Sequence, residues 1–187
     1  MNTELPYKVF YNFLTNDEID SLINHFKSIS KVNTIYSNNW DNINVVISDI
    51  KKSTSSSRQV RITGIQKDMF PSITKKIQKL FDNILNGKST IELPHFLTEY
   101  SVDSFHSPHT DYKSNEWYRE KVITIQLSNP DDYIGGDLKI GEHILPRDKG
   151  CVLVYNGKDV HEVTKVTHGI RFSLTECAGV RPNKSIM

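Results

Sequence analysis

Cys151-Val152-Leu153-Val154-Tyr155, then His161-Glu162-Val163-Thr164-Lys165-Val166, then Ile170-Arg171-Phe172-Ser173-Leu174-Thr175, are three short runs rich in β-branched, aromatic and apolar residues. Runs of this length, separated by turn residues, read as strands. Upstream, Phe96–Tyr100, Val122–Leu127 and Asp137–Ile140 have the same texture. Regularly spaced strands from Ile91 onward, with no helix between them, predict an antiparallel sandwich or barrel.

The N-terminal half reads differently. Tyr7–Tyr11 is a short strand, and Thr15-Asn16-Asp17-Glu18 has the form of a capping box. Ile19, Leu22, Ile23, Phe26 and Ile29 follow at helical spacing and give one apolar stripe. A second helix is predicted over about Pro71–Leu85, with Ile73, Ile77, Leu80, Phe81 and Ile84 as its stripe and Asn86-Gly87 as its stop. Both helices are expected to back a sheet. Between them Ser30–Arg58 is polar and includes Ser53-Thr54-Ser55-Ser56-Ser57. A stretch of this length is either a solvated connector or a lid over a substrate site. The whole is expected to be one domain over 1–187, with helical support and lid loop in 1–90 and a metal-binding β-core in 91–180.

Composition narrows the partners. The 187 residues carry 23 basic and 22 acidic side chains, a formal charge of +1. Nucleic-acid binding is not indicated, since the small basic cluster Lys75, Lys76 and Lys79 sits in the helical pattern and reads as a solvated face. Two cysteines, Cys151 and Cys177, are too few and too far apart for a disulfide framework or a thiolate metal site. No apolar run has the length of a membrane helix and the N-terminus lacks a signal-peptide layout, so a reducing, cytoplasmic setting is expected.

His109-Thr110-Asp111 is the first candidate for chemistry. Side chains two apart on an extended chain project to one side, so the imidazole and the carboxylate can converge on one ion. His161 lies 52 residues downstream of His109 in a strand-like run. Two imidazoles and one carboxylate on one face of an octahedral ion leave three positions open, which suits ferrous iron in oxygen-activating enzymes; the same residues could hold zinc. Arg171 points toward iron. Val166-Thr167-His168-Gly169 reads as a hairpin turn, which predicts that the strands of His161 and Arg171 pair antiparallel. His161 would then face Ser173, with Arg171 about 7 Å along the same face. A dicarboxylate chelating the metal would present its far carboxylate to that guanidinium, a group suited to a bidentate grip. His106, in His106-Ser107-Pro108-His109, places a rival imidazole nearby.

The chain resembles the prolyl 4-hydroxylase-like group of 2-oxoglutarate/iron(II) dioxygenases, in the compact form found in bacteria and phages. Thr98-Glu99-Tyr100 with His109-Thr110-Asp111 is similar to that family's tyrosine strand and first metal motif. Gln126-Leu127-Ser128-Asn129-Pro130 through Gly135-Gly136-Asp137-Leu138 resembles its central segment, and His161-Glu162-Val163 with Arg171-Phe172-Ser173-Leu174 its closing motif. The resemblance implies a mainly β, α+β fold: a double-stranded β-helix, or jelly roll, with helices on the major sheet. It implies Fe(2+) on His109, Asp111 and His161, and 2-oxoglutarate held by Arg171, Tyr100 and Ser173. It further implies O2 as oxidant, ascorbate as reductant and hydroxylation of an unactivated C–H, foremost of a prolyl residue in a protein or peptide, with release of succinate and CO2. No protein acid or base is required beyond the metal ligands. Other substrates stay open: another side chain, a free amino acid or a methylated base, for which Phe105, Tyr112, Trp117 and Tyr118 could line a pocket. So does a non-catalytic metal-binding β-helix module. Tyr155-Asn156-Gly157-Lys158 departs from the aromatic-Pro-Ser-like turn more usual there, a difference at the pocket rim. Gly135-Gly136 is read as a turn and nothing more.

Overall fold

The computed structural model describes residues 4–30, 32–35, 50–54, 56–87, 89–91, 95–112 and 119–180. Its N-terminal half runs β1 (Tyr7–Phe10), α1 (Asn16–Ser28), β2 (Val32–Ile35), β3 (Ile50–Thr54), β4 (Arg58–Ile65), α2 (Pro71–Ile84) and β5 (Thr90–Ile91). Then follow β6 (His95–Tyr100), β7 (Phe105–His109), β8 (Lys121–Gln126), β9 (Tyr133–Gly135), β10 (Leu138–Ile140) and β11 (His143–Ile144). The last strands are β12 (Val152–Asn156), β13 (His161–Val163), β14 (Val166–Gly169) and β15 (Arg171–Gly179).

Ten of these strands form one antiparallel path, β1-β12-β8-β15-β6-β4-β7-β13-β10-β11, and β14 pairs with β9 in a separate two-stranded ribbon. The path curls on itself as a jelly roll. Residues 1–90 thus supply strands as well as helices, and β4 lies between β6 and β7 at the heart of the sheet. The lid reading over 30–58 falls largely outside the described residues, as do Trp117 and Tyr118.

The helices form as the local pattern dictates. Thr15 Oγ1 accepts from the Glu18 N–H, and the Glu18 carboxylate accepts from the Thr15 N–H, closing the box. At the end of α2 the left-handed position is taken by Asn86, φ 52°, one residue before Gly87. Ile19, Leu22 and Phe26 of α1 join Ile73, Ile77 and Phe81 of α2 over Leu97, Ile123, Ile125, Val154 and Leu174 of the sheet. Lys76 pairs with Glu18 at 2.7 Å across the two helices, while Lys75 and Lys79 are exposed. One polar joint crosses this layer: Thr74 of α2 meets His95 Nε2 at 3.0 Å, and His95 Nδ1 meets the buried Glu176 carboxylate.

β8 and β15 are buried on both faces, and their alternation sorts two environments. Ile123, Ile125, Phe172 and Leu174 face the helices. Thr124, Gln126, Arg171 and Ser173 face the interior of the curl, beside a second cluster that includes Tyr100, Leu153, Tyr155 and Cys177. Both cysteines are buried.

One expectation is corrected here. Val166–Gly169 is not a hairpin turn but β14, which pairs with β9. β13 pairs with β7 and β10, and β15 with β5, β6 and β8. His161 and Arg171 therefore stand on opposite walls of the curl, not on paired strands. The reason is long-range: β7 and β6 offer ladder partners from elsewhere in the chain, and four residues in extended conformation satisfy their backbone groups by pairing with β9.

Candidate metal centre

β7 ends at His109, and Asp111 follows on a segment tied down by its backbone. The Asp111 and Tyr112 N–H groups both donate to the Gly157 carbonyl, at 3.0 and 2.9 Å. Only glycine fits at 157, since a Cβ there would lie 2.0 Å from the Arg119 carbonyl oxygen. β13 places His161 directly across from His109 in the ladder.

The three side chains converge: one ligand atom from each of His109, Asp111 and His161 lies within 4.8 Å of the others. His161 Nε2 is 3.3 Å and His109 Nε2 3.9 Å from the Asp111 carboxylate. Each ring meets a backbone carbonyl two residues earlier through Nδ1, His109 with Ser107 at 2.7 Å and His161 with Asp159 at 3.0 Å. These contacts assign a proton to each Nδ1 and turn both Nε2 atoms toward the carboxylate, the side on which a metal would sit.

Charge tells the same story. Burial, with the neighbouring His161, pushes His109 down to about 4, so it is a neutral imidazole at neutral pH. Burial works against the charged forms of Asp111 and His161, yet their mutual hydrogen bond and attraction outweigh it, holding Asp111 below 3.8 and His161 above 6.5.

His106 is close but differently used. Its ring stacks on His109 with centroids 3.6 Å apart, and its Nε2 accepts from Arg58 Nε at 3.0 Å. Burial and the Arg58 charge push it far below an ordinary imidazole. It does not join the group of converging ligand atoms.

On the opposite wall Arg171 is 1% exposed. Its guanidinium lies over the Tyr100 ring at 4.9 Å, donates to Gln126 Oε1 at 3.0 Å, and reaches Ser173 Oγ at 3.4 Å. Among the described residues its buried Nε has no hydrogen-bond partner and no carboxylate pairs with the charge. A buried, partly unsatisfied cation is costly unless an anion completes it. Tyr155 spans the space between the walls: its ring is 4.9 Å from that of His161 and its hydroxyl meets Thr124 Oγ1 at 3.1 Å. Burial and the Asp111 charge raise its phenol well above 10.0, so it stays neutral. The Gly135-Gly136 turn has positive φ at both residues, as expected, and more: a Cβ at Gly136 would sit 2.8 Å from Val166 and 3.3 Å from Arg171 Cδ. That pair is also a close-packing site behind the arginine.

Tyr155, Thr124, Gln126 and Arg58 carry no role in the sequence reading. For Thr124 and Gln126 a signal existed, polar residues at alternate positions of an otherwise apolar doubly buried strand. For Arg58 none did.

The sequence model of the 2OG-Fe(II) oxygenase superfamily matches residues 95–176, a span holding every residue of this centre except Arg58. A PKHD-type hydroxylase of Parvibaculum lavamentivorans is 25% identical over 129 residues, covering 65% of this chain and 58% of that protein. The chain thus spans less than two thirds of that relative's length. The fold is similar to the viral collagen prolyl hydroxylase of Paramecium Bursaria Chlorella virus-1, solved with 2OG, at a TM-score of 0.66 and 16% identity over 94% of this chain and 97% of that one. It is also similar to a Pseudomonas putida prolyl-4-hydroxylase, at 0.65 and 17% over 94% and 93%. Through residues 95–176 the chain is similar to the 2OG-Fe(II) oxygenase superfamily, and its fold is the jelly roll of those two prolyl hydroxylases.

Proposed function

We propose that the protein is an Fe(II)- and 2-oxoglutarate-dependent hydroxylase acting on a prolyl residue of a protein or peptide. The observation that carries the cofactor part is the pairing of a three-ligand cluster with a buried arginine across one interior, the arginine's Nε having no hydrogen-bond partner among the described residues. His109, Asp111 and His161 would hold the iron on one face. Arg171, steadied by Gln126, would grip the distal carboxylate of 2-oxoglutarate, with Ser173 alongside and Tyr100 beneath. With both bound, the iron centre supplies the power to insert one atom of O2 into a C–H bond, the other leaving in succinate as CO2 is released. The apolar interior around Leu153, Tyr155 and Cys177 excludes water from that space. The prolyl substrate rests on the similarity to prolyl hydroxylases.

Proline-containing peptides incubated with the protein, iron, 2-oxoglutarate and ascorbate are expected to gain one oxygen, read by mass spectrometry, in step with succinate formation. Succinate formed without any hydroxylated peptide across a broad prolyl library would reject the prolyl reading and leave the cofactor reading standing.

A further inference from the structure

Three residues before His109 on the same strand, His106 should point to the opposite face, because side chains alternate along a strand. It does not. Against β13 the register slips between His161↔His109 and Val163↔His106, so three steps of β7 answer two of β13. This bulge falls at Ser107-Pro108, where a residue without an N–H loses no ladder bond. Its effect is to bring His106 and His109 to one side, their rings 3.6 Å apart and inclined by 25°.

The far side of this stack is anchored on β4. Arg58, cross-strand from His106, donates from Nε to His106 Nε2 at 3.0 Å. A guanidinium can only donate, so His106 Nε2 carries a lone pair that this contact consumes. The preceding residue supplies a second hold: both the N–H and the hydroxyl of Ser107 donate to the Ser57 carbonyl, at 2.8 and 2.9 Å. Ser107 is the residue whose own carbonyl meets His109 Nδ1. Ser57 and Arg58 thus reach the His109 ring twice, once along its edge through Ser107 and once across its face through His106.

We propose that Arg58 and His106 are positioning residues: Arg58 fixes the plane of His106, and that plane holds the His109 ring with Nε2 toward the metal. This rests on His109, Asp111 and His161 being the metal ligands. Of the two imidazoles His161 needs less help, since it is itself buried, whereas the His109 side chain is 24% exposed. Partners that orient a metal ligand are worth roughly 10- to 100-fold in metal affinity.

The test is Co(II) binding to the full chain without 2-oxoglutarate, followed by the visible spectrum of the bound ion. His106→Ala should raise the cobalt Kd about tenfold or more, with folding checked by circular dichroism. His106→Phe keeps a flat ring against His109 but gives up the Arg58 contact, so it should weaken cobalt by about as much as Arg58→Gln and by less than His106→Ala, with an unchanged cobalt spectrum. Arg58→Gln leaves both imidazoles in place and should weaken cobalt by roughly threefold or more, which guards against misfolding of the alanine variant. Cobalt affinity unchanged in His106→Ala or in Arg58→Gln would overturn the proposal. So would His106→Phe binding as poorly as His106→Ala, which would make His106 a ligand in its own right. A wild-type protein that takes up no cobalt would instead overturn the metal reading on which this one stands.

Discussion

Asp111 and His161 are paired at 3.3 Å, and that pairing sets how the site responds to pH. His161 stands above 6.5 because the hydrogen bond and charge of Asp111 outweigh its burial. The stability this raised value confers on the metal-free protein is fully present below pH 6.5 and is lost as pH rises through the folded value. Metal binding runs the other way, because the ion needs the neutral imidazole. Calorimetric titration with Mn(II) across roughly pH 5.5 to 8.5 should show affinity falling by up to about tenfold per pH unit below the His161 value and levelling off above it. His109, already down at about 4, should contribute nothing in that window; a flat profile would mean that the metal displaces no proton from His161. Arg171 makes the second residue-scale prediction. Arg171→Ala should raise the KM for 2-oxoglutarate by about 30- to 700-fold, the equivalent of roughly 2–4 kcal/mol for a buried charge-paired contact. A KM unchanged in steady-state assays would hand that contact to another side chain.

At the scale of elements, the turn after β12 does more than connect. The Gly157 carbonyl receives the N–H groups of Asp111 and Tyr112, and its own N–H donates to the Glu120 carbonyl at 3.0 Å. The turn therefore locks the residue after the His-x-Asp pair to the approach of β8. A methyl group at 157 would lie 2.0 Å from a backbone oxygen, which no rotamer change can relieve. Gly157→Ala should cost about 1–3 kcal/mol by overpacking, seen as a lower thermal midpoint, and should weaken metal binding through displaced Asp111. A variant as stable as wild type with undiminished metal affinity would show that the turn does not position Asp111. Elements also mark where sequence reading works and where it stops. The capping box of α1, the apolar stripes and the spacing of His109 and Asp111 are local, and each was legible from neighbouring residues. Strand partnership is not local: β13 and β15 looked like two arms of one hairpin but take their partners from β7, β10, β6 and β8. The bulge in β7 that turns His106 toward His109 left no mark in the sequence apart from Pro108, and Arg58 acquires its place only because β4 threads between β6 and β7.

For the whole molecule, two layers divide the work. α1 and α2 cover one face of the major sheet with a continuous apolar core, braced by the buried contact between His95 and Glu176. That face fixes β6, β8 and β15 rigidly, so the side chains on their other face, Tyr100, Thr124, Gln126, Arg171 and Ser173, keep fixed positions. β7 and β13 close the curl from the other wall and bring His109, Asp111 and His161 to face that arginine-bearing strand. Among the described residues no helix is long and apolar enough to cross a membrane. The most direct measurement is optical: under argon, Fe(II) and 2-oxoglutarate are added together and the visible charge-transfer absorption of the chelate is recorded. The wild-type protein should develop this weak band, and His161→Ala should not. Wild-type protein with iron demonstrably bound but no band on adding 2-oxoglutarate would contradict the account.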